Sequence, residues 1–115
     1  MNRALRNAYE AELRAANIAT AGGNVAVAFH HLERAHILSQ RYTSAHVHVH
    51  WLMLRLGASM GDWREVMGQW TRIVAAAVFS RVWVPIGNTG RANVSAIKPM
   101  AVPDDLRSLL EARDV

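Results

Sequence analysis

All six histidines of the chain lie between residues 30 and 51, in the stretch HHLERAHILSQRYTSAHVHVHW. Imidazole is the commonest protein ligand for transition metals and the side chain that titrates nearest neutrality. Two spacings in this stretch suit coordination from helices: Glu33 and His36 form ExxH, and His46 and His50 form HxxxH. Residues three or four apart share one face of a helix, so each pair can point at a common atom. The chain has no cysteine. Disulfides, iron–sulfur clusters and thiolate zinc sites are thereby excluded, and any metal must be held by His, Asp, Glu or Met.

These side chains meet only if the intervening residues fold into a tight turn between two helices. Apolar periodicity and turn residues predict helices near 3–20, 24–39, 44–59 and 63–79, with Thr43 or Ser44 capping the third. Two antiparallel helices joined by so short a loop are neighbours. Counting outward from the loop brings Glu33 and His36 level with His46 and His50. One carboxylate and three imidazoles then face a common groove, a set that suits zinc, copper, nickel, manganese or non-haem iron, with any remaining place left to water or a further ligand.

His30 lies near the same face, and Glu12 comes level with Glu33 across the Gly22–Gly23 turn, so both are possible additional ligands. Two carboxylates with two or three histidines approach the ligand set of four-helix di-iron proteins, which carry ExxH on two helices. Only one such motif occurs here, which favours a mononuclear site. His48 sits about 200° around its helix from His46 and should face away. The structural alternative is that these histidines are neutral, hydrogen-bonded groups at helix boundaries, with Glu33 paired to Arg55 and His50 filling an aromatic packing position.

An internal repeat organises the scaffold. GNVAVAFHHLERA (Gly23 to Ala35) and GDWREVMGQWTRI (Gly61 to Ile73) align without a gap at an offset of 38 residues. A glycine suits the left-handed turn that ends a helix, and the following Asn24 or Asp62 can cap the next. The first copy resembles the second half of a tetratricopeptide repeat, with Gly23, Ala28 and Ala35 at its turn glycine and small packing positions. Val66 and Ile73 replace the small residues in the second copy. The expected fold is all-α: two tetratricopeptide-like antiparallel helical hairpins, an extended segment over 80–103, and a short helix over 104–113 that begins at PDDLRSLLEA.

The extended segment is expected to lie along the helices through Val82, Val84, Ile86, Val94, Ile97 and Met100. Its VPIGNTGRANVSA stretch could cradle an anion on successive backbone N–H groups, but it matches no phosphate-loop pattern. Turn hydrogen bonds from Asn88 and Asn93 are the better reading. Met53, Met60 and Met67 raise a copper question, since thioether favours Cu(I); core filling is the expected role. Trp51, Trp63, Trp70 and Trp83 are expected to anchor a core or an interface.

A length of 115 residues and a mass of 12.8 kDa suit one domain, and the 51% apolar and 19% charged composition is that of a globular chain. The longest apolar run, Ile73 to Ser80, is far too short to span a bilayer. The charged N-terminus has no secretory pattern, so the cytoplasm is the expected location. The net charge of +4 comes from dispersed arginines and the single Lys98. Nucleic-acid binding needs such charge concentrated on one face and is not expected.

AFHHLERAHILSQRY, HVHWLMLR, DWREVMGQWTRIVAA and VPIGNTGRANVSAIKPMAVPDDL, taken in order, resemble an uncharacterised bacterial family of short proteins, a domain of unknown function. The resemblance spans residues 28 to 110 and differs at Arg91, where the family pattern has glycine. It implies no established activity. Its members accompany metal-resistance and efflux genes, which associates them with metal handling. The leading reading is a small cytoplasmic metal-binding helical protein. The alternative is a tetratricopeptide-like interaction module or homodimer without metal. A metal-dependent enzyme with Glu33 or Glu65 as base comes third.

Overall fold

The computed structural model describes residues 1–79, 85–95 and 98–112. Four long helices, α1 (Arg3–Ala21), α2 (Val25–Ser39), α3 (Thr43–Ser59) and α4 (Trp63–Phe79), precede the short α5 (Asp104–Glu111). Helices α1 and α2 pack as one hairpin, α3 and α4 as a second, and α2 lies against α3 between them. No strand occurs among the described residues. The fold is thus all-helical, as two tetratricopeptide-like hairpins and a terminal helix.

The repeat seen in the sequence is reproduced bond by bond in the two hairpin turns. Gly23 N donates to Thr20 O and Asn24 N to Ala19 O, at 3.1 and 2.8 Å; Gly61 N donates to Ala58 O and Asp62 N to Gly57 O, at 3.1 and 2.9 Å. Gly23 and Gly61 have φ of 76° and 70°, the left-handed conformation in which a side chain would be strained. The side chains of Asn24 and Asp62 then accept from Val27 N and Glu65 N, starting the next helix. Ala28 and Ala35 are fully buried, as small residues at a helix crossing must be.

The turn between the hairpins is tighter than its sequence suggests. Only Gln40, Arg41 and Tyr42 separate α2 from α3, closed by Tyr42 N donating to Ser39 O at 2.8 Å. Thr43 is already helical, and Tyr42 is the N-cap, with no side-chain capping bond. The expected Thr43 or Ser44 cap is therefore displaced by one or two residues: the extended backbone of Tyr42 supplies the first carbonyl, to His46 N, at 2.8 Å.

The core lies between α1, α2 and α3, with Leu5, Phe29, Leu32, Leu38, Val49, Met53 and Leu56 buried together and Leu106 of α5 closing one side. Tyr9 Oη ties α1 to α3 by donating to Ala45 O at 3.0 Å. Arg34 of α2 holds α5 through an ion pair with Asp105. No helix among the described residues is long and apolar enough to cross a membrane.

Helix α4 reverses the usual arrangement. Glu65 and Gln69 are buried beside Val66 and Ala76, whereas Trp63, Met67, Trp70, Val74 and Val78 are exposed. Trp51 and Met60 are exposed as well, so of the tryptophans expected to anchor a core or an interface Trp51, Trp63 and Trp70 lie outside the core, and Met53 alone of the three methionines fills it. The cause is the inner polar face of α4, which is occupied by hydrogen-bond partners described below. Of the segment expected to lie along the helices, Val82, Trp83, Val84 and Ile97 fall outside the described residues. Ile86, Val94 and Met100 are partly buried, and Gln40 clamps the segment to α2 by donating to Pro85 O and accepting from Gly87 N, both at 3.0 Å.

Candidate metal centre

The short 40–42 turn fixes the register of α2 against α3 and brings three imidazoles together. His46 Nε2 lies 3.0 Å from His36 Nε2 and 3.1 Å from His50 Nε2. The ring centroids are 4.7–4.8 Å apart. All three side chains are buried, with 3%, 6% and 2% exposure for His36, His46 and His50. Donor atoms each about 2.0–2.1 Å from one ion stand roughly 3.3 Å apart at tetrahedral angles, close to the observed separations. The trio forms a group able to hold a metal ion.

The neighbours of the rings decide which nitrogen carries the proton. His36 Nδ1 lies 2.7 Å from the carbonyl of Asn88, which can only accept, so Nδ1 donates and Nε2 keeps its lone pair. His50 Nδ1 lies 2.6 Å from Gln69 Oε1. That amide is oriented by its other end: Gln69 Nε2 donates to Glu65 Oε2 at 2.7 Å and to Gly90 O at 2.9 Å. Its oxygen must therefore face His50, whose Nδ1 donates and whose Nε2 is again a lone pair. A ring that donates outward and offers a lone pair inward is the arrangement that orients metal-binding histidines.

His46 completes the argument. Its Nε2 faces two lone pairs and can donate to only one of them. The Gln40 carbonyl acts on the ring, yet Nδ1 of His46 is buried without completing a hydrogen bond. An orphaned buried polar atom is rare and calls for a cause. A cation bound at the three Nε2 atoms would give all three lone pairs a partner and would leave the remaining proton of His46 on Nδ1, where the Gln40 carbonyl is the group that can accept it.

Burial favours neutral rings. His46 is pushed down to about 4, chiefly by burial, and His50 to about 3, by burial and then by the neighbouring His46. His36 lies well below its ordinary value, through burial and then the two facing imidazoles. Neutral imidazole is the form that binds a metal.

A polar network from α4 and the 85–95 segment encloses the trio. Glu65 accepts from Arg91 Nε and, at 2.9 Å, from Ala92 N. Gly57 of α3 makes room for it, since a Cβ there would lie 3.0 Å from Glu65 Cγ. Asn88 shapes the segment: its Oδ1 accepts from Gly90 N at 2.9 Å, and its Nδ2 donates to Ser95 O and Lys98 O at 2.7 and 2.8 Å. Gly90, at φ 81°, lies so close to His36 that a Cβ would meet the ring at 2.6 Å. The GNTGRAN stretch is thus a support for the imidazoles, and Asn88 makes turn bonds as its sequence suggests, while Asn93 is exposed.

The other residues singled out in the sequence lie elsewhere. Glu33, one turn further from the loop than His36, accepts from Arg91 Nη1 at 3.2 Å, and that guanidinium stacks 3.7 Å over Phe29. Glu12 accepts from His31 Nδ1 and Arg34 Nε, both at 2.7 Å. His30 is exposed and edge-on to His31. His48 is exposed, as its helical angle requires. Gln69, Asn88 and Gly90 were not legible as site residues. The available signal was the E65xxxQ69 pair opposite an apolar stripe, which reads by default as a solvated face.

Taken together, fold and site define a small helical-hairpin domain with a buried three-histidine cluster. The chain belongs to the family described as protein of unknown function (DUF3703), whose model matches residues 3–110. No curated protein and no solved structure matches the chain.

Proposed function

We propose that the protein is a small transition-metal-binding domain that holds one ion at His36, His46 and His50, serving metal handling in the cytoplasm. The observation that carries this reading is the convergence of three Nε2 atoms, two of them fixed as lone pairs by outward Nδ1 bonds. The proposed set leaves out Glu33, which accepts from Arg91, Glu12, which accepts from His31 and Arg34, and the exposed His30. The test is elemental analysis of tag-free protein purified without chelator, beside a His36→Ala, His50→Ala double variant. The expected result is near-stoichiometric metal in the wild type and none in the variant. Metal bound only to the folded state raises stability by RT ln(1 + [L]/Kd), about 2.7 kcal/mol at a hundredfold excess over Kd. Absence of metal in both preparations, with no thermal shift on adding any first-row ion, refutes the reading.

A second reading, self-association, is favoured by the outer face of α4. Trp63, Met67, Trp70, Val74 and Val78 follow the spacing of a helix–helix seam and are all exposed. This property is compatible with metal binding and is decided separately, by the mass of the protein in sedimentation equilibrium. A monomer at all concentrations removes it.

A further inference from the structure

A buried donor set selects its guest by charge as well as by geometry. The three imidazoles contribute no negative charge, and the carboxylates around them are committed. Glu65 is bound by Arg91, Ala92 N and Gln69, and Glu33 by Arg91. A further cation stands close by: Arg72, partly buried, donates to Gly68 O at 3.2 Å and Val94 O at 2.7 Å.

The cost of burying an ion rises with the square of its charge, so a dication costs about four times as much as a monocation of similar size before ligands compensate. Zinc on three histidines ordinarily meets that cost with a fourth, solvent-derived ligand at an open position. Here the rings are closed in, with the Gly90 backbone against His36 and each side chain at most 6% exposed. The next residue along the His46–His50 face of α3, Met53, is fully buried and accepts from Gln69 Nε2 at 3.4 Å, so that face continues with a neutral side chain that adds no compensating negative charge.

We propose that the His36–His46–His50 cluster takes copper in its monovalent state, as a three-coordinate imidazole site, in preference to zinc and the other divalent ions. This rests on the metal-binding reading above. The experiment is an anaerobic competition: tag-free apoprotein is mixed with Cu(I) held by bicinchoninate, withdrawal of copper is read from the loss of the chelate's colour, and excess zinc is then added. X-ray absorption of the loaded protein gives the ligand number.

The expected result is one copper withdrawn per chain, three nitrogen ligands, no displacement by zinc, and loss of that equivalent in His46→Ala but not in His48→Ala. Displacement by zinc, or a four-coordinate site with an oxygen ligand, overturns the preference for Cu(I) while leaving the metal site intact. Copper withdrawn equally by the His46→Ala variant overturns the assignment of the cluster. No binding of either ion overturns both this inference and the reading on which it rests. The comparison between metals uses wild-type protein alone, so it stands even if a variant fails to fold.

Discussion

Gly90 and Gly23 share a backbone conformation but differ in what surrounds them, and the difference measures how tightly the 85–95 segment presses on the cluster. Both are left-handed, at φ 81° and 76°. A Cβ at Gly23 would meet nothing within 4 Å, whereas one at Gly90 would strike the His36 ring at 2.6 Å. Gly23→Ala should therefore cost only the conformational term, about 1–2 kcal/mol. Gly90→Ala should cost about 2–4 kcal/mol and weaken metal binding besides, because His36 or the Asn88 carbonyl must move. Urea unfolding of the two variants checks this, and equal losses would mean that the segment does not seal the site. The histidines themselves were legible because HxxxH and a nearby His on the preceding helix need only helical periodicity and a short loop. Gln69, Asn88 and Gly90 were not, since amide and backbone partners carry no spacing signature and reach the rings from far along the chain.

At the scale of elements, the hairpins were readable because each turn is written locally, as Gly23–Asn24 and Gly61–Asp62, and local capping needs no knowledge of the rest of the fold. Helix α4 was only partly legible because periodicity gives the direction of an apolar stripe but not which side faces the core: Val66 is buried at its packing position, whereas Met67, expected to fill the core, is exposed. Its polar side is turned inward, where Gln69 serves His50, Glu65 and Gly90 at once. Two substitutions on this one helix should accordingly reverse the usual expectation. Gln69→Leu places an apolar residue at a fully buried position yet should destabilise by about 2–4 kcal/mol, since it strands His50 Nδ1 and removes one of the donors to Glu65 and Gly90 O. Met67→Lys places a charge on the apolar face yet should change the stability of the monomer by less than about 0.5 kcal/mol. Chemical denaturation at low protein concentration compares them; a larger loss for Met67→Lys would show that the outer face is packed.

For the whole molecule, the buried histidines make apoprotein stability a function of pH, with a sign opposite to that of a histidine held by a carboxylate. The folded values of His36, His46 and His50 all lie below that of an unfolded histidine near 6.5, with His46 at about 4 and His50 at about 3. As pH falls through 6.5 the unfolded chain takes up protons that the folded chain refuses. The stability contributed by the neutral trio is complete above 6.5 and is lost progressively toward 4. Each such histidine contributes a slope of about 1.4 kcal/mol per pH unit within that window. Carboxylates in an unfolded chain titrate near or below its lower end, so urea midpoints in chelator between pH 6.5 and 5 isolate the imidazoles. A slope equivalent to two or three protons is expected, and a flat profile would mean that the rings are not buried as a group. Metal alters the same balance: it competes with protons for the same three Nε2 atoms, so the thermal shift produced by a saturating ion at pH 7.5 should shrink at pH 5. That shrinkage should be absent in His36→Ala, His50→Ala, which keeps only His46 of the three ligands and shows no metal-induced shift to lose.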